Sequence, residues 1–535
     1  MTLVCGLTLS LSACKVGPNY QGPPETDSPK DFAAVPQGAV PDVKSVPAPG
    51  DVELAAWWKQ FGDTQLDSLV EKALLGNLDL QLAQARVKEA RAARGIVVAD
   101  WFPAVGVGGT YSRSRNSNNI GLIGANPTGG ADLYTAGFDA SWEIDFWGKT
   151  ARGVEAADAI IAQSIENRRD VMISLLAEVA SNYVTLRGQQ ERLSVTERAV
   201  KAQEDSLKLT ESRFRAGLVG ELDVSQAKAQ LENRTAQLFP IKTEIERAIN
   251  RLGVLLGKPP RAFAEELSPR KKLPVPPAVV NVGIPSELLK RRPDIRAAER
   301  ALASQTARIG VATADLYPSF SITAALGLQS NQFGSFWNAS SRYWNIVPGV
   351  SWPVLDWGKI RSNIQVADAR AEQAMIVYEQ VVLTSFENVE SSLLQMVSEQ
   401  QRYGALTRSV EASARAVQLA EDLYQTGNVD FRTVLDNQLI LFTAEDNAVI
   451  SQTFTLTSMI GLYKSLGGGW EYMEQDPWTP KLVPSSTIAA AVDGVVNPNA
   501  SSSPPGENGA DRPATATPAT PGAAAQPPVP VGQKP

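Results

Sequence analysis

Met172, Leu176, Val179, Tyr183 and Leu186 fall at spacings of 4, 3, 4 and 3, and Val382, Phe386, Val389, Leu393 and Met396 repeat those spacings 210 residues later. The 3.5-residue average predicts helices packed side by side over a long distance. A tube and a solid antiparallel bundle both give such a stripe, so it predicts the helices and leaves their arrangement open. The first stripe lies inside Lys149 to Arg213, a stretch without proline. As one helix that stretch would run about 97 Å at 1.5 Å per residue, more than a compact domain spans. Gly217 and Gly220 break the pattern, and Glu221 to about Leu256 reads as a shorter return helix.

Ahead of the long helix the period changes. Asp63 is placed to cap a helix carrying Leu66, Leu69, Val70, Ala73 and Leu74, and the helical pattern continues to Ala99. After Pro103 the chain alternates, a Gly/Asn-rich stretch from Asn116 to Gly130 reads as a hairpin loop, and a return strand follows. That strand puts Phe138, Ala140, Trp142, Ile144 and Phe146 on one face, and Asp139, Ser141, Glu143 and Asp145 on the other. Three unpaired carboxylates would be costly to bury in a closed core. A strand with lipid on one side and water on the other accommodates both faces; the exposed edge of a water-soluble sheet would show the same alternation. The strand gives way to helix period at Trp147-Gly148-Lys149, and Trp357-Gly358-Lys359 marks a second such change.

The whole plan occurs twice. Ala99-Asp100-Trp101-Phe102-Pro103 matches Ala314-Asp315-Leu316-Tyr317-Pro318 at an offset of 215, whereas Trp142 with Trp352, Gly148 with Gly358 and Gly217 with Gly427 match at 210. The shortfall falls in the first hairpin loop, and loops tolerate insertions. The expected organisation is a signal segment at 1–13, an extended tether at 14–56, a first repeat at 57–260 and a linker at 261–285. A second repeat at 286–475 and a Pro/Ala-rich tail at 476–535 complete it, the tail with too few large apolar residues to fold.

Composition narrows the function. No run approaches about 20 consecutive apolar residues, which argues against a membrane-spanning helix. A spanning barrel stays open, because each strand needs only about ten alternating residues. The net charge of −7 argues against a nucleic-acid partner. With no histidine and two cysteines, His-dependent acid–base catalysis, Ser–His and Cys–His nucleophiles and His-ligated metal sites are removed. No catalytic constellation, metal site or cofactor is expected. Leu3 to Leu11 is apolar and leads into Leu11-Ser12-Ala13-Cys14, which resembles the lipobox of a bacterial lipoprotein signal, with Cys14 as the lipid acceptor. Cys5 would leave with the signal. The missing basic segment before Leu3 suggests a translation start further upstream, and Lys15 after the cysteine implies sorting to the outer membrane.

With helix, two strands, long helix and return helix found twice behind a lipobox, the chain resembles the TolC-like outer-membrane efflux channels over about residues 14–475. Within that family it is most similar to the lipoprotein (NodT-type) branch that serves resistance-nodulation-division pumps. The resemblance rests on Cys14-Lys15-Val16-Gly17-Pro18-Asn19-Tyr20, on Arg292-Pro293-Asp294-Ile295-Arg296-Ala297-Ala298-Glu299, on Ile309-Gly310-Val311-Ala312 and Tyr317-Pro318-Ser319, and on the two Trp-Gly-Lys elements. It implies a membrane α+β fold in which two structural repeats give four transmembrane β-strands and long antiparallel α-helices. Three chains would form a twelve-stranded β-barrel on an α-helical tunnel. A homotrimer is physically sensible, because four strands cannot close a barrel and an open edge cannot sit in lipid.

The resemblance further implies a lipid-anchored outer-membrane protein with a periplasmic tunnel, a periplasmic adaptor (membrane fusion) protein and an inner-membrane pump as partners, and passive conduction of drugs or other small molecules. Trp142, Trp147, Trp352 and Trp357 would lie at the periplasmic membrane interface, and Asp139, Glu143 and Asp145 would face the lumen. The family's gate lies at the turn from Tyr424 to Asp436, where two acids can ring the constriction. Asp436 matches the second, and Thr433 stands where the first would be. A single acidic ring results, with Arg432 within reach as its partner and the helix pairs near Gly217 and Gly427 moving like an iris. Without the family, Asp436 also reads as a solvated helix position. The alternative function is a periplasmic adaptor lipoprotein linking pump and channel. It would need one helical hairpin between compact β modules, where this chain has two helix sets and amphipathic strands.

Overall fold

The computed structural model describes residues 15–23, 28–35, 40–48, 54–115 and 130–472. A short strand, β1 (Val46–Ala48), precedes a 3-10 turn at Trp57–Phe61 and two helices, α1 (Thr64–Gly76) and α2 (Leu78–Ala99). The sequence pattern runs through Asn77 unbroken, but the helix breaks there. Asn77 is extended at φ −64°, ψ 131°; its side-chain oxygen accepts from Leu80 N, and its amide donates to Leu255 O at 2.9 Å. A cap of this kind ends one helix and starts the next. The strands β2 (Ala104–Ser114) and β3 (Ala131–Ile144) follow, then α3 (Lys149–Arg215) and α4 (Glu221–Leu255).

The linker contains α5 (Ala264–Leu267) and β4 (Val279–Asn281). The second repeat runs through α6 (Pro285–Arg291), α7 (Pro293–Ala314), β5 (Ser319–Ser330), β6 (Arg342–Ser351), α8 (Lys359–Gln425) and α9 (Phe431–Ser465). Repeat-related helices match in length: 22 residues in α2 and α7, 67 in α3 and α8, 35 in α4 and α9. A 67-residue helix is about 100 Å long. Helix α4 continues through Pro240, which ordinarily ends a helix, because Ile241, Ile245, Ile249 and Leu252 keep one buried face beyond it.

Both predicted stripes are core. Met172 to Leu186 and Val382 to Met396 join one buried cluster with Trp57, Trp58 and Phe61. Trp57 stacks on Tyr463 at 5.2 Å. The Tyr183 hydroxyl donates to Asp63 at 2.6 Å, and the other oxygen of that carboxylate caps α1 by accepting from Gln65 N and Leu66 N.

The described residues of the expected tether between 32 and 45 dock along the second repeat. The amides of Ala33 and Ala34 donate to the Glu390 carboxylate, those of Lys44 and Ser45 to Gln400 Oε1, and Arg408 pairs with Asp42. Strand β1 pairs in parallel with β4 of the linker. The stretch lacks periodicity because side chains of α8 satisfy its backbone, one residue at a time.

Candidate functional site

Four strands form one antiparallel sheet in the order β2-β3-β5-β6. All four join their helices at one end of the sheet, as Ala104 opposite Ser141, Ile144 opposite Phe320 and Ser319 opposite Ser351 require. The registers stack like with like. Val107, Phe138, Leu326 and Trp344 form one continuous row, and Val105, Ala140, Ala324 and Ile346 the next. Val105, Val107, Phe138, Leu326, Trp344, Ile346 and Val350 are all exposed on this face. A large exposed apolar face on a sheet whose other face is polar matches a strand set between lipid and water.

On the polar face Asp139 lies opposite Gly106 and Ala325, and Glu143 opposite Ser321. The neighbours are small, so both carboxylates stand clear. Asp145 does not belong with them. The strand ends at Ile144, and the Asp145 carboxylate accepts from Thr150 N at 3.1 Å and Ala151 N at 2.8 Å, capping α3. Alternation carried past the strand end mistook a helix cap for a strand residue. Asp356 does the same for α8, one position nearer its helix, accepting from Gly358 N and Ile360 N. Those two amides hold its carboxyl below the ordinary carboxylate range.

Aromatic side chains collect at both ends of the sheet. At the hairpin end Tyr111 and Tyr134 lie 4.9 Å apart, with Phe333 5.5 Å from Tyr134. At the helix end Trp142 donates its indole N–H to Trp101 O at 3.0 Å, and its repeat mate Trp352 donates to Leu316 O at 3.1 Å. Trp147 is half-buried; its N–H reaches Pro318 O at 2.8 Å and its ring stacks on Tyr317 at 4.6 Å. Trp357 is exposed.

The residues after the lipobox dock beside Trp147. Val16 N donates to Trp147 O, and the buried Arg152 guanidinium donates to Val16 O, Gly17 O and Asn19 Oδ1. Gly17 crosses Gly310 so closely that a Cβ on it would fall 2.5 Å from Gly310 Cα, and the Tyr20 hydroxyl meets Glu299 at 3.3 Å. Residues 15–20 therefore touch both the 292–299 and the 309–312 motifs, at Glu299 and at Gly310. Cys14 lies outside the described residues.

At the far end of the long helices, each turn closes with a left-handed glycine, Gly217 at φ 72° and Gly427 at φ 79°. Leu218 N returns to Arg213 O and Asn428 N to Leu423 O, a helix ending that needs this conformation. Arg432 and Asp436 form an exposed pair at 3.7 Å, and Thr433 lies between them in α9. Two contacts that the sequence did not signal tie the repeats together here. The Arg213 guanidinium lies 4.3 Å above the Tyr424 ring and donates to Tyr424 O at 2.9 Å. The buried Gln438 accepts from Gln203 at 2.9 Å and donates to Glu421 at 2.9 Å, joining α3, α8 and α9. Burial raises the Tyr424 hydroxyl pKa. Among the described residues no helix is long and apolar enough to cross a membrane.

The model of the outer membrane efflux protein family matches residues 69–258 and 284–468. The chain belongs to the outer membrane efflux protein family. It is 32% identical over 433 residues to nodulation protein T of Rhizobium leguminosarum bv. trifolii, covering 81% of this chain and 89% of that one. It is 32% identical over 422 residues to the pyoverdine export outer membrane protein OpmQ of Pseudomonas aeruginosa, covering 78% and 88%. The solved outer-membrane channel OprN superposes with a TM-score of 0.78 at 35% identity, covering 86% of this chain and all of that one. This efflux protein is thus an outer-membrane channel with the TolC-like α+β fold, a transport duct in class rather than an enzyme. The four-stranded sheet is its membrane part, and the long helices are its periplasmic tunnel wall.

Proposed function

We propose that three copies of this efflux protein close one twelve-stranded barrel and act as a passive exit duct, with no chemistry of their own. The single observation that carries this reading is a four-stranded sheet with an exposed apolar face and two edges unpaired among the described residues, since neither edge can rest in lipid. An inner-membrane pump of the resistance-nodulation-division class, joined through a periplasmic adaptor, supplies the energy. The cargo is drugs or other small molecules. A lipid on Cys14 would enter the membrane next to Trp147, where Lys15 packs against Gly148. A periplasmic adaptor would have no use for a membrane face of this extent. The test is heat-dependent mobility: outer membranes holding the full chain should yield a trimer in SDS that falls to monomer on boiling. A monomer in both conditions would reject the duct.

The gate belongs at the α8–α9 tip, where the first turns of α9 carry Asp436. Three such carboxylates on one axis repel unless paired or hydrated, and attract cations. The Arg432–Asp436 pair is exposed and holds little alone. Asp436→Ala is expected to raise single-channel conductance of the reconstituted trimer; unchanged conductance would remove Asp436 from the constriction. Asp139 and Glu143 line the barrel's inner face, so the open channel should favour cations. Reversal potentials in a potassium chloride gradient check this, and an anion-selective value would overturn it.

A further inference from the structure

Strands β2 and β6 form the edges of the sheet and have no partner on their outer sides among the described residues. We infer that they pair with each other between copies, with Ser351 opposite Gly108 and Val350 opposite Gly109 of the next copy. At the same seam Trp357 of one copy seats on Phe102 and Pro103 of the next. The inference rests on the reading that three copies close one barrel, and adds the residue-level joint to it.

The chain already contains one example of this joint. Strand β3 of the first repeat pairs with β5 of the second, with Ser141 opposite Thr323 and Ala140 opposite Ala324. Moving the first partner forward by 210 residues and the second back by 215 gives the seam pairs. Those offsets hold to the residue, because they also carry the β2–β3 register, Ala104 opposite Ser141, onto the β5–β6 register, Ser319 opposite Ser351. The seam pairs keep to their faces, with Val350 and Gly109 outward and Ser351 and Gly108 inward. A one-residue slip would turn every side chain to the wrong face. A two-residue slip would not, so it must be removed by other contacts.

The junction below the strands removes it. Within the chain, Trp147 donates to Pro318 O and stacks on Tyr317, and Lys149 Nζ sits 2.8 Å from the Asp315 carboxylate. The repeat mates are Trp357, Pro103, Phe102, Lys359 and Asp100. Each position keeps its chemistry: an indole, a proline carbonyl, an aromatic ring, an ammonium and a carboxylate. Trp357 is 91% exposed and Phe102 65% exposed. Trp357 also has φ +55°, a region a bulky residue rarely adopts. An indole held outward in a strained backbone, opposite a matching exposed ring, is half of a contact. At one level the seam must be wider than its internal copy. Gly137 and Gly327, too close for a Cβ between them, are replaced there by Val347 and Ser112.

Disulfide trapping in outer membranes tests the joint on the full chain. After oxidation with copper phenanthroline and boiling in SDS, Ser351→Cys/Gly108→Cys and Val350→Cys/Gly109→Cys should each give covalent trimers that reductant dissolves. Ser351→Cys/Thr110→Cys should give none, because a two-residue slip moves the partner by about 7 Å, beyond disulfide reach. Lys359→Glu should lose the heat-dependent trimer, and adding Asp100→Lys should restore it. Cross-linking of the slipped pair, or native trimers in which neither in-register pair cross-links, would overturn the register. A charge reversal without rescue would overturn the Lys359–Asp100 contact. If the unaltered chain forms no trimer, the three-copy reading itself fails.

Discussion

Leu326→Arg is expected to abolish heat-resistant assembly in the outer membrane, while Ala325→Arg, one residue earlier, is tolerated. Leu326 pairs with Phe138 and Trp344, and all three are exposed on the apolar face. Phe138 lies midway along β3 between Tyr134 of the hairpin-end belt and Trp142 of the helix-end belt, so Leu326 is near the bilayer midplane. An arginine there costs about 2–4 kcal/mol, and a trimer carries that cost three times. Ala325 lies opposite Asp139 on the polar face. Its arginine would meet water and a carboxylate, leave assembly intact, and shift the reversal potential toward anions. SDS gels of outer membranes before and after boiling separate the two variants. Equal assembly of both would overturn the assignment of faces, and with it the membrane reading of the sheet.

The sequence carried the parts of this fold that repeat. A 210-residue recurrence of a 3.5-residue stripe located α3 and α8 to within a few residues, and alternation located the membrane strands. It misled where one residue serves two patterns. Asn77 fits a helical stripe but caps the next helix, and Asp145 fits a strand face but caps α3. Contacts without any period left no sequence signal. Arg152 holds three groups of a segment more than a hundred residues away, and Arg213 meets Tyr424 across the repeat boundary. The match of Trp357 to Trp147 and of Phe102 to Tyr317 was legible in the repeat. Only the internal joint at Trp147 gives it a geometry.

Arg213→Ala should open the tip more often than any change at the exposed Arg432–Asp436 pair. Its guanidinium makes both a ring contact and a charged hydrogen bond to Tyr424, tying α3 of the first repeat to the end of α8. A cation–π contact contributes about 0.5–1 kcal/mol when exposed and about 2 kcal/mol or more when desolvated, and the Tyr424 ring is buried; a hydrogen bond from a charged donor contributes about 1.5–3 kcal/mol. Losing about 2 kcal/mol of closed-state stability would raise the open-to-closed ratio roughly thirtyfold if opening separates these helices. Tyr424→Phe keeps both the ring and the carbonyl, so it should stay near the parent channel. Gln438→Leu removes the second tie, through Gln203 and Glu421, and should add to the effect of Arg213→Ala. Open probability in planar bilayers measures all three. An Arg213→Ala channel that opens no more often than the parent would mean that α3 and α8 move as one body, and the iris would have to turn about a different pair of helices.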